Sequence, residues 1–289
     1  MKKINGYTDL FALFGYPAKH SLSPFIQNHF FDKYGLNSVY LSFEINPSDF
    51  KDTFLGAKKM GFSGINLTMP FKEDCIEYLD ELDEDAKFVK SVNTVKFDKK
   101  ENKAKGFNTD IKGFVKSLND ADFKAANSSC LIIGAGGVAK SSVYALLKMN
   151  AGKIFLYDIN IKKAQEIKSI YNKTINNKIF VLNNLNSISL KELDFIANCT
   201  PAGMKLKNID NNVNVLPLPE KWNLERKFIF EMVYNPVFTP LVKKSLDDGA
   251  KVIFGLDMLL NQAAFAFEIW KDFSPDLKYL KRHFKNSIK

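Results

Sequence analysis

Arginine is almost absent from this chain. Only Arg226 and Arg282 occur in 289 residues, so all but two of the 41 basic side chains are lysines. The formal net charge of +9 invites a polyanionic partner, yet the planar fork that grips guanine and phosphate is missing. The lysines are scattered among acidic residues, so a solvated lysine-rich surface is expected over a nucleic-acid patch. Cysteine is scarce too. Cys75, Cys130 and Cys199 are odd in number, widely spaced and without a CxxC pair, which excludes a disulfide framework and a zinc site and fits a reducing compartment. His20, His29 and His283 are too dispersed for a metal centre, and none is expected. No apolar run approaches the roughly 18–20 residues of a membrane span, and no apolar core follows the basic Met-Lys-Lys start as a signal peptide requires. A cytoplasmic protein without a membrane partner is the expectation.

What is present is an ordinary globular composition, 46% hydrophobic and 25% charged, long enough for two domains. Apolar β-rich runs alternate with helical patterns, which predicts an α/β protein with mainly parallel sheets. Expected strands are Leu10–Gly15, Val39–Ile45, Gly64–Leu67, Cys130–Ile133, Lys153–Tyr157, Phe195–Asn198, Phe228–Met232 and Val252–Phe254. Ser23-Pro24, Thr239-Pro240 and Ser274-Pro275 each read as an N-cap hydroxyl before a helix-starting proline. Gly35 and Gly61 read as helix stops. The polar stretch Lys99–Lys105 gives way to a helix at Ile111–Leu118, which puts a domain boundary just after Asp110; a second falls near Gly255.

The most informative segment is Cys130-Leu-Ile-Ile-Gly134-Ala135-Gly136-Gly137-Val138-Ala139, a buried strand, a glycine-rich turn and a helix. Gly134 permits the tight turn, Gly136 lets backbone N–H groups approach a diphosphate, and Ala139 replaces the third glycine against the sheet. Asp158 ends the next strand, where an acidic side chain accepts the ribose hydroxyls and repels a 2′-phosphate. It serves equally as N-cap for a helix Ile161–Ile170. Lys162 and Lys163 follow and offset that repulsion. Ser21 and Ser23 stand before a helix, where they either hold a small carboxylate or cap. Lys72 follows the strand Gly64–Leu67 at the end where α/β sheets place ligand residues, though an isolated lysine is ordinarily solvated. Asn93-Thr94 and Asn108-Thr109-Asp110 are turn formers by default. Tyr234 either packs or faces a ligand, and Gln262, on an apolar helix, is a satisfied core amide or is aimed at one.

In this order and spacing the segments resemble the shikimate dehydrogenase family over about Phe14 to Trp270. The motifs are Gly-Tyr-Pro-Ala-Lys-His-Ser-Leu-Ser-Pro, Gly-Ile-Asn-Leu-Thr-Met-Pro-Phe-Lys, Val-Asn-Thr, Gly-Phe-Asn-Thr-Asp-Ile-Lys-Gly-Phe, Gly-Ala-Gly-Gly-Val-Ala, Asn-Cys-Thr-Pro-Ala-Gly-Met, Met-Val-Tyr-Asn-Pro-Val-Phe-Thr-Pro-Leu and Met-Leu-Leu-Asn-Gln-Ala-Ala. The resemblance implies a Rossmann-like doubly wound nucleotide domain, 111–254, and a discontinuous α/β substrate domain, 1–110 and 255–289. It implies Lys72 and Asp110 as the catalytic pair, with Ser21, Ser23, Thr68, Asn93, Tyr234 and Gln262 on the substrate. Gly134, Ala135, Gly136, Gly137, Val138, Met232 and Gly255 would line the cofactor site, with Asp158, Asn160 and Glu84 added to it.

The activity implied is reversible nicotinamide-dependent reduction of 3-dehydroshikimate to shikimate in aromatic amino acid biosynthesis, by a monomer or homodimer. Alternatives are an NAD-dependent quinate/shikimate dehydrogenase and a catalytically silent nucleotide sensor. One departure bears on the cofactor, NADP or NAD. Where NADP-using members commonly carry Asn-Arg-Thr, this chain has Asp158-Ile159-Asn160, which leans toward NAD, whereas NADP is the family default. Lys90-Ser91 in place of the usual Gly-Ala, and Asp257 in place of a small residue, are lesser departures.

Overall fold

The computed structural model describes residues 4–172, 177–205 and 210–287. The chain divides into two compact units, Met1–Lys112 with Leu260–Ser287, and Gly113–Leu259.

The first unit is built on β1 (Asp9–Gly15), α1 (Ser23–Lys33), β2 (Ser38–Glu44), α2 (Phe50–Lys59), β3 (Gly64–Leu67), β4 (Glu81–Leu82), α3 (Glu84–Val89), β5 (Thr94–Asp98) and β6 (Lys103–Phe107). Its sheet runs β2-β1-β3-β5-β6-β4. β1 pairs parallel with β2 and β3, whereas β5 runs antiparallel to both β3 and β6. The sheet is therefore mixed, which corrects the expectation of mainly parallel pairing here. The hairpin β5–β6 also corrects the reading of Lys99–Lys105 as a polar stretch. Lys103 and Lys105 lie on the wet face of β6 while Ala104 and Gly106 are buried, the alternation of an antiparallel strand with one face in water.

The second unit starts within α4 (Thr109–Asp120) and continues through β7 (Ser129–Ile133), α5 (Gly137–Lys148), β8 (Lys153–Tyr157), α6 (Ile161–Asn172), β9 (Ile179–Val181), β10 (Phe195–Asn198), β11 (Phe228–Glu231), α7 (Pro240–Asp247) and β12 (Lys251–Phe254). Its strands are all parallel in the order β12-β11-β10-β7-β8-β9. These are two βαβαβ halves whose order reverses between β7 and β10, the doubly wound dinucleotide-binding topology. α8 (Gly255–Lys271) begins in this unit and returns the chain to the first, where α9 (Lys278–Ser287) follows.

Each unit has its own core. In the first, Phe14, Phe50, Phe54, Phe71 and Phe97 are buried together, Phe50 and Phe71 stacked with centroids 4.2 Å apart. The end of α8 completes that unit: Trp270 lies on Gly64, where a Cβ would collide with the indole, and its Nε1 donates to the Val95 carbonyl at 3.0 Å. In the second, Leu131, Ile133, Ile196, Ile229 and Leu241 form one side of the core, and Phe114 of α4 stacks on Phe230 at 5.0 Å.

The helix signals are mixed in outcome. Gly35 and Gly61 take φ of +62° and +78° just past α1 and α2, as C-terminal glycines do. Thr239 caps α7, its Oγ1 accepting from Val242 N. Ser23 does not cap α1; it is the first helical residue, and Ser21 Oγ accepts from its N–H at 3.1 Å. Ser274 caps nothing either, because α9 begins at Lys278, whose N–H is taken by Asp276 Oδ1 at 2.8 Å.

Candidate functional site

In the first unit, Lys72 Nζ lies 2.6 Å from Asp110 Oδ2, with side-chain exposures of 17% and 10%. Asp110 sits in the first turn of α4, where the positive end of the helix favours a carboxylate. The turn is fixed from two sides. Asn108 Oδ1 accepts from Ile111 N at 3.2 Å, so this residue is a cap and not merely a turn former. Asn93, buried at the start of the hairpin, accepts from Thr109 N at 2.7 Å through Oδ1 and donates from Nδ2 to Asp110 Oδ1 at 2.8 Å. Asp110 thus receives a cation on one oxygen and an amide on the other. A carboxylate and an amine held in contact at a partly open edge can pass a proton to and from a bound oxygen.

The other residues expected on the substrate, Tyr234 excepted, lie in this unit. Ser21 Oγ donates to Ser23 Oγ at 3.1 Å. Thr68 follows β3, its N–H bonded to the Phe14 carbonyl at 3.0 Å and its methyl filling the place a Cβ of Gly15 would need. Gln262, on α8, meets the Thr109 hydroxyl at 3.4 Å. Glu84, expected near the cofactor, instead opens α3 in the first unit as an exposed residue, and among the described residues no contact ties it to this network.

The second unit holds the glycine-rich turn. Gly134 has φ of +103° and lies so close to the Cys199 backbone that a Cβ would sit 2.9 Å from it, so only glycine fits. Gly136 and Gly137 face open space at the start of α5, with Val138 in its first turn, so bare backbone and the positive end of a twelve-residue helix meet whatever lies above them. Asp158 Oδ2 accepts from Ala135 N and its Oδ1 from Asn160 N, each at 2.7 Å. Asn160 Oδ1 accepts from Lys162 N at 3.2 Å. Asp158 is therefore not the cap of α6, an expectation corrected here; Asn160 performs that task and leaves the carboxylate at the turn. Ile159 beside it is 95% exposed. Gly255 backs onto the carbonyls of Glu231 and Met232, and Tyr234 belongs to this unit, half-buried, its phenol pushed up by burial.

Sequence reasoning passed over a set of buried polar groups. Tyr40, Asn66, Thr94 and Thr109 in the first unit, and Glu231 in the second, are buried and hydrogen-bonded. Their partners are up to 33 residues away in the chain, so no local spacing marks them. The three cysteines carry no chemistry: burial pushes each thiol up to about 12. Among the described residues there is no cluster of His, Cys, Asp or Glu able to hold a metal ion, and no helix long and apolar enough to cross a membrane.

Residues 13–95 match the model of the shikimate dehydrogenase substrate binding domain and residues 255–282 that of the shikimate 5′-dehydrogenase C-terminal domain. The chain is 34% identical over 283 residues to the shikimate dehydrogenase (NADP(+)) of Methanococcus maripaludis, covering 98% of each chain. It is 38% identical over 271 residues to that of Aquifex aeolicus, covering 92% of this chain and 93% of the relative. The crystal structure of the Listeria monocytogenes shikimate 5-dehydrogenase in complex with shikimate and NAD superposes with a TM-score of 0.87 at 28% identity, covering 98% and 99% of the two chains.

Proposed function

Because the chain belongs to the shikimate dehydrogenase family, we propose that it catalyses the reversible, nicotinamide-dependent reduction of 3-dehydroshikimate to shikimate, a step of aromatic amino acid biosynthesis. The observation that carries this reading is Lys72 Nζ at 2.6 Å from Asp110 Oδ2, with Asn93 on the other carboxylate oxygen. In the reducing direction Lys72 gives a proton to the C3 oxygen of the substrate; in the oxidising direction it takes one back, and Asp110 holds the amine in line throughout. Ser21 and Ser23 hold the substrate carboxylate, while Thr68, Asn93, Gln262 and Tyr234 position the ring hydroxyls. The bound dinucleotide supplies the hydride acceptor or donor.

The second unit is the dinucleotide domain. Gly134 to Val138 offer bare backbone to the diphosphate, and Met232 and Gly255 line the same site. Asp158 and Asn160 face the adenosine ribose. A carboxylate with a fully exposed isoleucine next to it is a poor seat for a 2′-phosphate and a good acceptor for free ribose hydroxyls, so NAD is preferred. The test is kcat/KM of the purified chain for shikimate with NAD and with NADP. Turnover with NAD favoured is expected. A clear NADP preference would refute the role given to Asp158, and dinucleotide binding without turnover would replace the enzyme with a sensor.

A further inference from the structure

The buried polar groups of the first unit form one chain of hydrogen bonds whose direction is set at every link. The Asn66 amide is pinned because its Nδ2 faces the Asn93 carbonyl at 3.0 Å, a pure acceptor. Its Oδ1 therefore accepts, and the donor is the Tyr40 hydroxyl at 2.8 Å. Asn66 Nδ2 also donates to Thr94 Oγ1 at 2.9 Å, which leaves the single proton of Thr94 to point onward to Asn93 Oδ1 at 3.2 Å. Asn93 Oδ1 also takes the Thr109 N–H, so Asn93 Nδ2 is the donor to Asp110 and, at 3.0 Å, to Thr109 Oγ1. A hydroxyl has one proton to give. With Asn93 as its donor, Thr109 spends that proton on Gln262 Oε1 at 3.4 Å.

We infer that Thr109 is a positioning residue for substrate binding: its buried hydroxyl fixes the flip of the Gln262 amide, so that Gln262 turns Nε2, a donor, to the side away from Thr109. This rests on the reading of Gln262 as a substrate-positioning residue. It also defines the chemistry of the group met there, an oxygen able to accept, such as a ring hydroxyl of shikimate. Without the Thr109 proton the amide has no internal cue to its orientation, and half of its possible placements offer the substrate an acceptor instead. Thr109 is fully buried and touches no substrate itself.

The test is a double-mutant cycle read as KM and kcat for shikimate. Thr109→Val keeps the shape and the backbone N–H held by Asn93 but removes the proton. It is expected to raise KM roughly three- to tenfold, the range of one hydrogen bond, with kcat within about threefold. Thr109→Ser restores the proton and is expected to restore KM. In a Gln262→Ala background Thr109→Val is expected to add nothing further. A KM rise of the same size in both backgrounds, failure of Thr109→Ser to rescue, or no rise from Thr109→Val while Gln262→Ala raises KM would each overturn the inference alone. An unchanged KM in Gln262→Ala itself would remove the substrate role of Gln262, and the inference with it. Should Thr109→Val not fold, Thr109→Cys, a weak donor of similar size, is expected to fall between wild type and Gln262→Ala; a KM equal to wild type would overturn the inference.

Discussion

Asp110 and Glu231 are the carboxylates around which the polar networks of the two units are organised, and they are held in opposite ways. Asp110 stands at a partly open edge with a lysine ammonium on one oxygen and an amide on the other. Glu231, at the end of β11, is wholly buried and meets only neutral donors: Asn198 Nδ2 at 2.9 Å, Val233 N at 3.0 Å and Thr239 Oγ1 at 2.7 Å. Burial pushes its carboxyl up to about 7, against the pull of those donors. Proton transfer needs a charged partner and an exit, which Asp110 has. Glu231 has neither, and what it does is tie together the turn after β10, the turn after β11 and the cap of α7.

The contrast is broken most severely at Lys72. Lys72→Ala leaves Asp110 without its cation and is expected to lower kcat by about a hundred- to ten-thousandfold, with the unfolding midpoint in urea little changed. Equal rates in variant and wild type would refute the role of the pair. Glu231→Gln tests the other carboxylate through stability. A carboxyl whose folded pKa lies above its ordinary value of 4.5 holds its proton in the native state where the unfolded chain has released it, so stability falls as pH rises between about 4.5 and 7. At roughly 1.4 kcal/mol per pH unit the loss amounts to about 3 kcal/mol. Glutamine keeps one accepting oxygen for Asn198 and Val233 and turns an amide toward Thr239, so the variant is expected to lose that pH slope. Urea unfolding of both proteins at about pH 5 and pH 8 reads it, and parallel slopes would contradict the assignment. The smallest effect is expected from Thr239→Val, which removes a cap and one donor to Glu231: about 1–2 kcal/mol of stability, with the pH-dependent fall reaching to higher pH. A lower upper limit would count against the donor role of Thr239.

The second unit was the more legible of the two in sequence, because fully buried parallel strands read as plain apolar runs and the glycine turn has a fixed vocabulary. β7, β8, β10 and β11 lie where those runs stand, while β9, only three residues long, hides in the asparagine-rich stretch. The hairpin β5–β6 was hidden for another reason: Lys96, Lys103 and Lys105 occupy its wet face and dilute the apolar signal. At the site, Lys72 and Asp110 stood out only through motifs. Thr94, Thr109 and Glu231 were invisible because a buried polar residue is explained by a partner distant in sequence. Asp158 was legible as an acid at the end of a strand, but its grip on Ala135 was not.

The contact between Trp270 and Gly64 has a consequence for the order in which the protein is made. Translation delivers the chain from its N-terminus, so Lys72 and Asp110 leave the ribosome with their sheet still missing the helix that covers Gly64. Residues 113–259, a whole second unit, are synthesised before Gln262 and Trp270 arrive. The proton-transfer pair is thus among the first chemistry the chain carries and among the last to be completed, and a nascent chain halted short of α8 holds the pair without its glutamine.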